Sequence, residues 1–291
     1  MPADRFAQFT RFQDRLMHSW TSTQSMLCVG LDPDVARMPA GYGTTPSEIE
    51  RFCLEIIKAT AEHACAFKPQ IAYFAANRAE QALENLIGHM HELAPNATVI
   101  LDAKRGDIGA TAKQYAIEAF ERYRADSVTL SPYMGSDSVE PYHAYPDRGL
   151  FLLCRTSNPG GNDLQFLNTE KDEPLYQAVA RMATTTWNPH GQAGLVVGAT
   201  YPEEIGLVRK VAGDAPLLVP GIGAQGGDLP NTVQNGLCSK GWGLLINSSR
   251  AILYAGSGAD FATAAQKEAK RTQDAIQSAK GDMIENSSRR R

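Results

Sequence analysis

The segment Val99-Ile100-Leu101-Asp102-Ala103-Lys104-Arg105-Gly106-Asp107 runs from apolar residues straight into a charged group. In an extended strand, side chains two apart share a face, so Asp102 and Lys104 are predicted to point together and Ala103 away. Burying such charges costs several kcal/mol per ion unless they are paired. A second lysine, Lys68, stands near the end of the preceding apolar run, Cys65-Ala66-Phe67-Lys68, and adjacent strands would bring it to Asp102. The expected product is an alternating Lys–Asp–Lys row, with a structural ion pair at a strand end as the plainer alternative. Asp32, after Gly30-Leu31, falls at the same end of the first run, and taken alone it also fits a helix N-cap or a turn.

Two further segments suit a phosphate. One is Val219-Pro220-Gly221-Ile222-Gly223-Ala224-Gln225-Gly226-Gly227, the other Ile246-Asn247-Ser248-Ser249-Arg250. Glycines let backbone N–H groups approach an anion, and Arg250 can add a charge-assisted contact. An ordinary tight loop remains the alternative for the glycines. Gly221-x-Gly223-x-x-Gly226 also matches the dinucleotide fingerprint, but that motif belongs to an early βαβ unit with an acidic residue closing the next strand, and here that strand ends in Asn247-Ser248-Ser249. Arg105-Gly106-Asp107 spells an adhesion tripeptide in a chain that shows no secretion signal.

Eight short apolar runs must position these groups: Met26–Leu31, Ala64–Gln70, Thr98–Lys104, Ser127–Leu130, Leu150–Cys154, Gly194–Gly198, Leu217–Pro220 and Gly243–Asn247. Continuous rather than alternating hydrophobicity suits parallel strands covered on both faces. Helical patterns fall between them, at Asn77–Leu93, Ala110–Tyr123, Leu175–Trp187, Pro202–Val211 and Ala259–Ala279, with one more opening at Thr45-Pro46-Ser47, where Glu50 follows Ser47 by three in a capping-box arrangement. An additional helix at Asp4–Ser19, carrying Phe6, Phe9, Phe12 and Leu16, is expected to plug or flank a barrel. Strand count and length favour a closed, parallel, eight-stranded α/β fold, the (β/α)8 or TIM barrel, over an open sheet. The charged row and both phosphate segments then lie at the carboxyl ends of the strands, where barrels keep their chemistry. Residues 1–280 are expected to form one domain, and 281–291 a disordered tail.

The 291 residues, 43% of them hydrophobic, suffice for a sizeable core. A net charge of −4 with no long basic block argues against nucleic-acid or membrane-surface binding. The five cysteines show no CxxC or zinc-ligand spacing, which suits a reducing, cytoplasmic setting. The amino terminus lacks a secretory pattern, and no run of about 18 apolar residues offers a membrane span.

Leu101-Asp102-Ala103-Lys104-Arg105-Gly106-Asp107-Ile108-Gly109-Ala110-Thr111 resembles the Asp-x-Lys-x-x-Asp signature of the orotidine 5′-phosphate decarboxylases, in the longer bacterial branch of that family. Supporting matches are Asp32, Phe67-Lys68-Pro69, Thr156-Ser157-Asn158-Pro159-Gly160, the Pro220–Gly227 segment and Ser249-Arg250. The resemblance runs from about Met26 to Ala255 and is specific in combination. It implies a barrel homodimer, with Lys68, Asp102 and Lys104 as the charged row of one subunit and Asp107, Ile108 and Thr111 reaching into the partner's site. It further implies that Asp32 and Lys68 hold ribose hydroxyls, that Ser157 (with Thr156 as the competing choice) meets the pyrimidine amide, and that Gln225 and Arg250, beside Gly223 and Ser249, bind phosphate. The implied substrate is orotidine 5′-monophosphate, and no metal or cofactor is expected.

In that reading Lys104 stabilises and protonates the carbanion left at C6 when CO2 departs, and Asp102 holds Lys104 in place. Loops Gly221–Asp228 and Asn158–Asn168 are expected lids. The rival readings are a metal-dependent sugar-phosphate lyase of the same superfamily, which resembles enzymes with an acidic residue where Lys68 stands, a Schiff-base aldolase, which flanking aspartates disfavour by keeping lysine protonated, and a non-catalytic nucleotide-binding barrel.

Overall fold

The computed structural model describes residues 9–222 and 228–289. Eight strands, β1 (Leu27–Leu31), β2 (Ala66–Pro69), β3 (Thr98–Arg105), β4 (Ser127–Leu130), β5 (Gly149–Arg155), β6 (Ala193–Val197), β7 (Leu217–Pro220) and β8 (Leu244–Ser248), pair in chain order into a closed barrel. Every neighbouring pair is parallel, including the closing pair β1 and β8, where Cys28 stands opposite Asn247. Most strand residues are buried on both faces, which is why their sequences read as unbroken apolar runs. The expected fold class is therefore the observed one, with strand limits displaced by no more than two residues.

Residues 4–8 of the expected Asp4–Ser19 helix, Phe6 among them, lie outside the described residues, and the described amino-terminal helix occupies Phe12–Thr23. It lies across the amino-terminal ends of the strands. Phe12 is wholly buried and meets Phe151 of β5 edge to face at a centroid distance of 6.0 Å. The Trp20 indole N–H donates to the Leu244 carbonyl at 2.8 Å, and Ser19 and Thr98 share a hydrogen bond of 2.9 Å. Arg15, 1% exposed, donates to Asp126 at 2.9 Å just before β4. The helix thus seals the barrel floor, at the end opposite the charged row.

Other helix limits also depart from the pattern. The first crossover helix, Pro46–Thr60, begins two residues earlier than the Ser47/Glu50 pair suggests: Thr45 takes the N-cap position, its hydroxyl donates to the Glu48 carboxylate at 2.8 Å instead of capping the backbone, and Glu50 accepts from Asn85. The Asn77–Leu93 pattern corresponds to Glu80–Leu93, and a short additional helix, Ile71–Ala76, precedes it. The helix after β3, Gly109–Ile117, widens into a π turn at Glu118–Arg122, and Glu118 there accepts two bonds of 3.0 Å from Arg105. The Leu175 helix stops at Thr184, where the hydroxyls of Thr184 and Thr185 bond the carbonyls of Ala180 and Arg181 and compete with the helical ladder. Pro202–Ala212 is close to expectation. Leu229–Gly236 is a further helix, capped by Asp228 accepting from the Asn231 amide at 3.1 Å.

The last helix runs Phe261–Arg289, past the Gly281 at which a disordered tail was expected to begin. A single glycine costs a helix only about 1 kcal/mol, and no proline follows it. No described helix is long and apolar enough to cross a membrane.

The floor seal is testable. Phe12→Ala removes a side chain packed so closely that a Cβ on Gly149 would sit 2.2 Å from the Phe12 ring. The variant is expected to lose about 3–5 kcal/mol of unfolding free energy, read from its urea midpoint.

Candidate active site

The charged row assembles at the carboxyl ends of β1 to β3. The Lys68 ammonium donates to Asp102 Oδ2 at 2.8 Å, and the Lys104 ammonium donates to Asp102 Oδ1 at 2.6 Å. Asp32 Oδ1 lies 3.9 Å from Lys68 Nζ, which extends the row to Asp32–Lys68–Asp102–Lys104. Lys68 and Asp102 are 4% and 6% exposed, whereas the Lys104 side chain is 45% exposed and faces the opening.

Burial pushes the Asp102 carboxyl up, but Lys68 and Lys104 outweigh it and hold the group well below the usual carboxylate range. Burial likewise works against the Lys68 ammonium, and Asp102 and Asp32 more than reverse that, leaving it above an ordinary lysine. These ions keep each other charged in a setting where either alone would tend to neutralise.

Simple alternation along β3 is only part of how this happens. The β3–β4 register is Leu101 to Val128 and then Arg105 to Leu130, so a bulge separates the two pairs. Within it Lys104 has φ +46°, in the left-handed region. Thr129 of β4 sits opposite, its Oγ1 2.9 Å from Asp102 Oδ1 and accepting from the amides of Ala103 and Lys104 at 3.0 and 2.9 Å.

The row opens into a cleft of about 300 Å³ that Ser157, Ser249 and Arg250 also line. Asn247 donates to Ser249 Oγ at 3.1 Å, and β1 approaches this loop so closely that a Cβ on Gly30 would fall 1.9 Å from the same oxygen. Ser157, rather than Thr156, faces the cleft; the Thr156 hydroxyl instead accepts from Gln165 at 2.8 Å. The Asn158–Asn168 segment, expected to be a lid, holds short helical turns at Pro159–Gly161 and Asn162–Gln165, tied to buried Arg155 through Asn162 and Gln165.

Asp107, Ile108 and Thr111 do not join the cleft of their own chain. Asp107 accepts from the Ile108 amide at 2.8 Å, and Ile108 is 47% exposed. Gly223 and Gln225, with most of the other expected lid, lie outside the described residues.

Sequence reasoning missed four residues here. Gln70 follows Lys68 by two and was open to the same alternation rule. Tyr73 rides on the short Ile71–Ala76 helix, which left no clear periodicity. Asn247 was visible only as a strand end. Thr129 carried no signal at all, because its part depends on the bulge in the neighbouring strand.

Fold and cleft together define a parallel α/β barrel with a partly buried row of alternating ions at the carboxyl end and, lining the same cleft, an arginine just past β8, the strand beside β1. Residues 25–266 match the Orotidine 5'-phosphate decarboxylase / HUMPS family. An orotidine 5'-phosphate decarboxylase of Dechloromonas aromatica is 61% identical over 265 residues, 91% of this chain and 98% of that protein. One from Ralstonia pickettii is 59% identical over 266 residues, with the same coverage. Among solved structures, the Leishmania donovani OMP decarboxylase superposes with a TM-score of 0.80 at 40% identity, covering 93% of this chain and 99% of that one. The chain belongs to the orotidine 5′-phosphate decarboxylase / HUMPS family.

The ion row carries a stability signature. Asp102→Asn leaves two ammonium groups facing each other and is expected to cost about 3–5 kcal/mol near neutral pH. The folded carboxyl is depressed, so its contribution is fully present above the unfolded value and is lost as pH falls through the folded one. Lys68 is shifted the other way, and its contribution is fully present below the unfolded lysine value of about 10.4. The gap between wild type and variant in denaturant titrations should therefore be flat from about pH 5 to 9 and narrow below about pH 4.

Proposed function

We propose that this chain decarboxylates orotidine 5′-monophosphate to UMP and CO2 in pyrimidine synthesis, as a cytoplasmic homodimer that needs neither metal nor organic cofactor. The observation that carries the reading is the Lys68–Asp102–Lys104 row, joined by contacts of 2.8 and 2.6 Å, within one cleft that Ser157 and Arg250 also line. Relatives that share about 60% of their residues with nearly the whole chain bear that enzyme's name.

The chemistry follows from the charges. Cleavage of the C6–carboxylate bond leaves its electron pair on C6, in a ring that offers no ready sink. Lys104, the ammonium of the row that faces the opening, stabilises that charge and delivers a proton to C6, and its amine recovers a proton from solvent. Fixed charges held in a cleft need no reorganisation as the reaction proceeds, which is why they count for more than the same groups in water. Asp102 aims Lys104, and its own charge crowds the substrate carboxylate. Asp32 and Lys68 hold ribose hydroxyls, Ser157 meets the base, and Arg250 with Ser249, Gly223 and Gln225 takes the phosphate. Remote phosphate binding then contributes to positioning the base.

A dimer accounts for Asp107, Ile108 and Thr111. They do not line their own cleft, and the loop after β4 exposes Tyr133 by 82% and Met134 by 45%. Five buried, unpaired cysteines accord with a reducing compartment.

Purified protein treated with chelator is expected to consume orotidine monophosphate, followed by its loss of ultraviolet absorbance, and Lys104→Ala to lower kcat by at least about 10³-fold. A Lys104→Ala variant with near wild-type turnover removes that lysine from the proton transfer. Lys104→Ala and Asp107→Ala should each be inactive alone, while re-associated 1:1 mixtures recover about a quarter of wild-type activity, because half the dimers are hybrids with one native site. Mixtures that stay inactive, although subunits exchange, dismiss the shared site.

A further inference from the structure

Thr129 stands in β4 between Val128, which pairs with Leu101, and Leu130, which pairs with Arg105. One residue of β4 therefore faces three of β3, Asp102 to Lys104. The strand ladder cannot supply acceptors to both amides inside such a bulge, and a buried amide without a partner is costly. The Thr129 hydroxyl takes the Ala103 and Lys104 amides itself, at 3.0 and 2.9 Å, and its oxygen lies 2.9 Å from Asp102 Oδ1.

A hydroxyl has one proton and two acceptor positions. Both acceptor positions are occupied by backbone N–H groups, which can only donate. The proton is left with one destination, the Asp102 carboxylate. Thr129 is 1% exposed, so water offers no competing partner. The orientation of this hydroxyl is thus fixed by its neighbours.

We propose that Thr129 is a positioning residue of the active site, aiming the Lys104 ammonium without touching substrate. The inference rests on the decarboxylase reading given above. Lys104 holds φ +46°, a left-handed conformation that is strained for a residue with a side chain. Its long side chain is nearly half exposed and is steered by its backbone and by Asp102. Thr129 secures both at once. It also covers the moment of proton transfer. When Lys104 becomes a neutral amine, Asp102 Oδ1 loses a cationic partner but keeps the Thr129 proton, so the carboxylate stays ionised and in place for the next cycle.

Thr129→Ser and Thr129→Ala both lose the methyl group and differ only in the hydroxyl. The serine variant is expected to keep kcat within about threefold of wild type, while alanine loses about 10–100-fold in kcat, the scale of a misplaced reacting group, with KM moved less than about threefold. UMP affinity should be alike in all three proteins. Equal losses in both variants assign the effect to methyl packing and overturn the proposal, as does an alanine variant with unaltered kcat or one in which only KM rises. Should the alanine variant fail to fold, serine still decides: a loss of about tenfold or more in its kcat overturns the idea, because the hydroxyl is then insufficient. Wild-type protein without turnover would instead sink the functional reading on which this one rests.

Discussion

A carboxylate buried between two ammonium groups is the constraint on which the site depends. Taking ions out of water is so unfavourable that Asp102 can be 6% exposed and charged only if Lys68 and Lys104 meet it at hydrogen-bond distance. Those partners come from two adjacent strands, and Asp32 comes from a third. No local segment could assemble them. The closed barrel holds the strand ends at fixed spacing and surrounds them with low-dielectric side chains, so the fold and the charge row are conditions for one another.

The row also required a departure from regular structure. A perfect pleat would carry β3 through Asp102 and Lys104 without interruption, but the chain inserts a bulge there and turns Lys104 into the left-handed region. Local rules of strand geometry are broken where the reactive groups sit, and neighbouring residues absorb the disturbance. Thr129 accepts the orphaned amides, and Glu118 in the π turn clamps Arg105 immediately beyond. Both irregularities, bulge and π turn, flank the same few residues. This is the pattern expected when a locally consistent sequence yields to function at one place.

Much of the architecture was readable because burial on both faces leaves an unmistakable trace. All eight strands stood out as apolar runs, and the barrel followed from their number. Lys68, Asp102 and Lys104 were likewise visible, since a charge at the end of an apolar strand needs a partner and the adjacent strand offered one. What escaped was set by partners remote in sequence. The N-cap position fell to Thr45 and not Ser47 because Pro46 suits the first helical position, and Leu229–Gly236, at eight residues, is too short for its period to stand out. The threonine run at Thr184–Thr186 ended a helix that hydrophobic spacing alone would have continued. Asn247 enters the cleft because closure of the barrel sets β8 beside β1, and Tyr73 because a short helix follows β2, and no linear pattern records either.

The sealed floor has an electrostatic consequence. With Phe12, Leu16 and Trp20 packed across one end, the barrel's packed interior is closed to water there, and among the described residues the charged cleft forms a mouth at the other end. Lys104 and Arg250 line that mouth, where low-dielectric walls concentrate the field of charges that meet solvent. A doubly charged phosphate ester is therefore drawn toward one entrance of a molecule whose overall charge, −4, would otherwise repel it. Local polarity at the aperture, and not the sign of the whole protein, governs how an anion finds its way in.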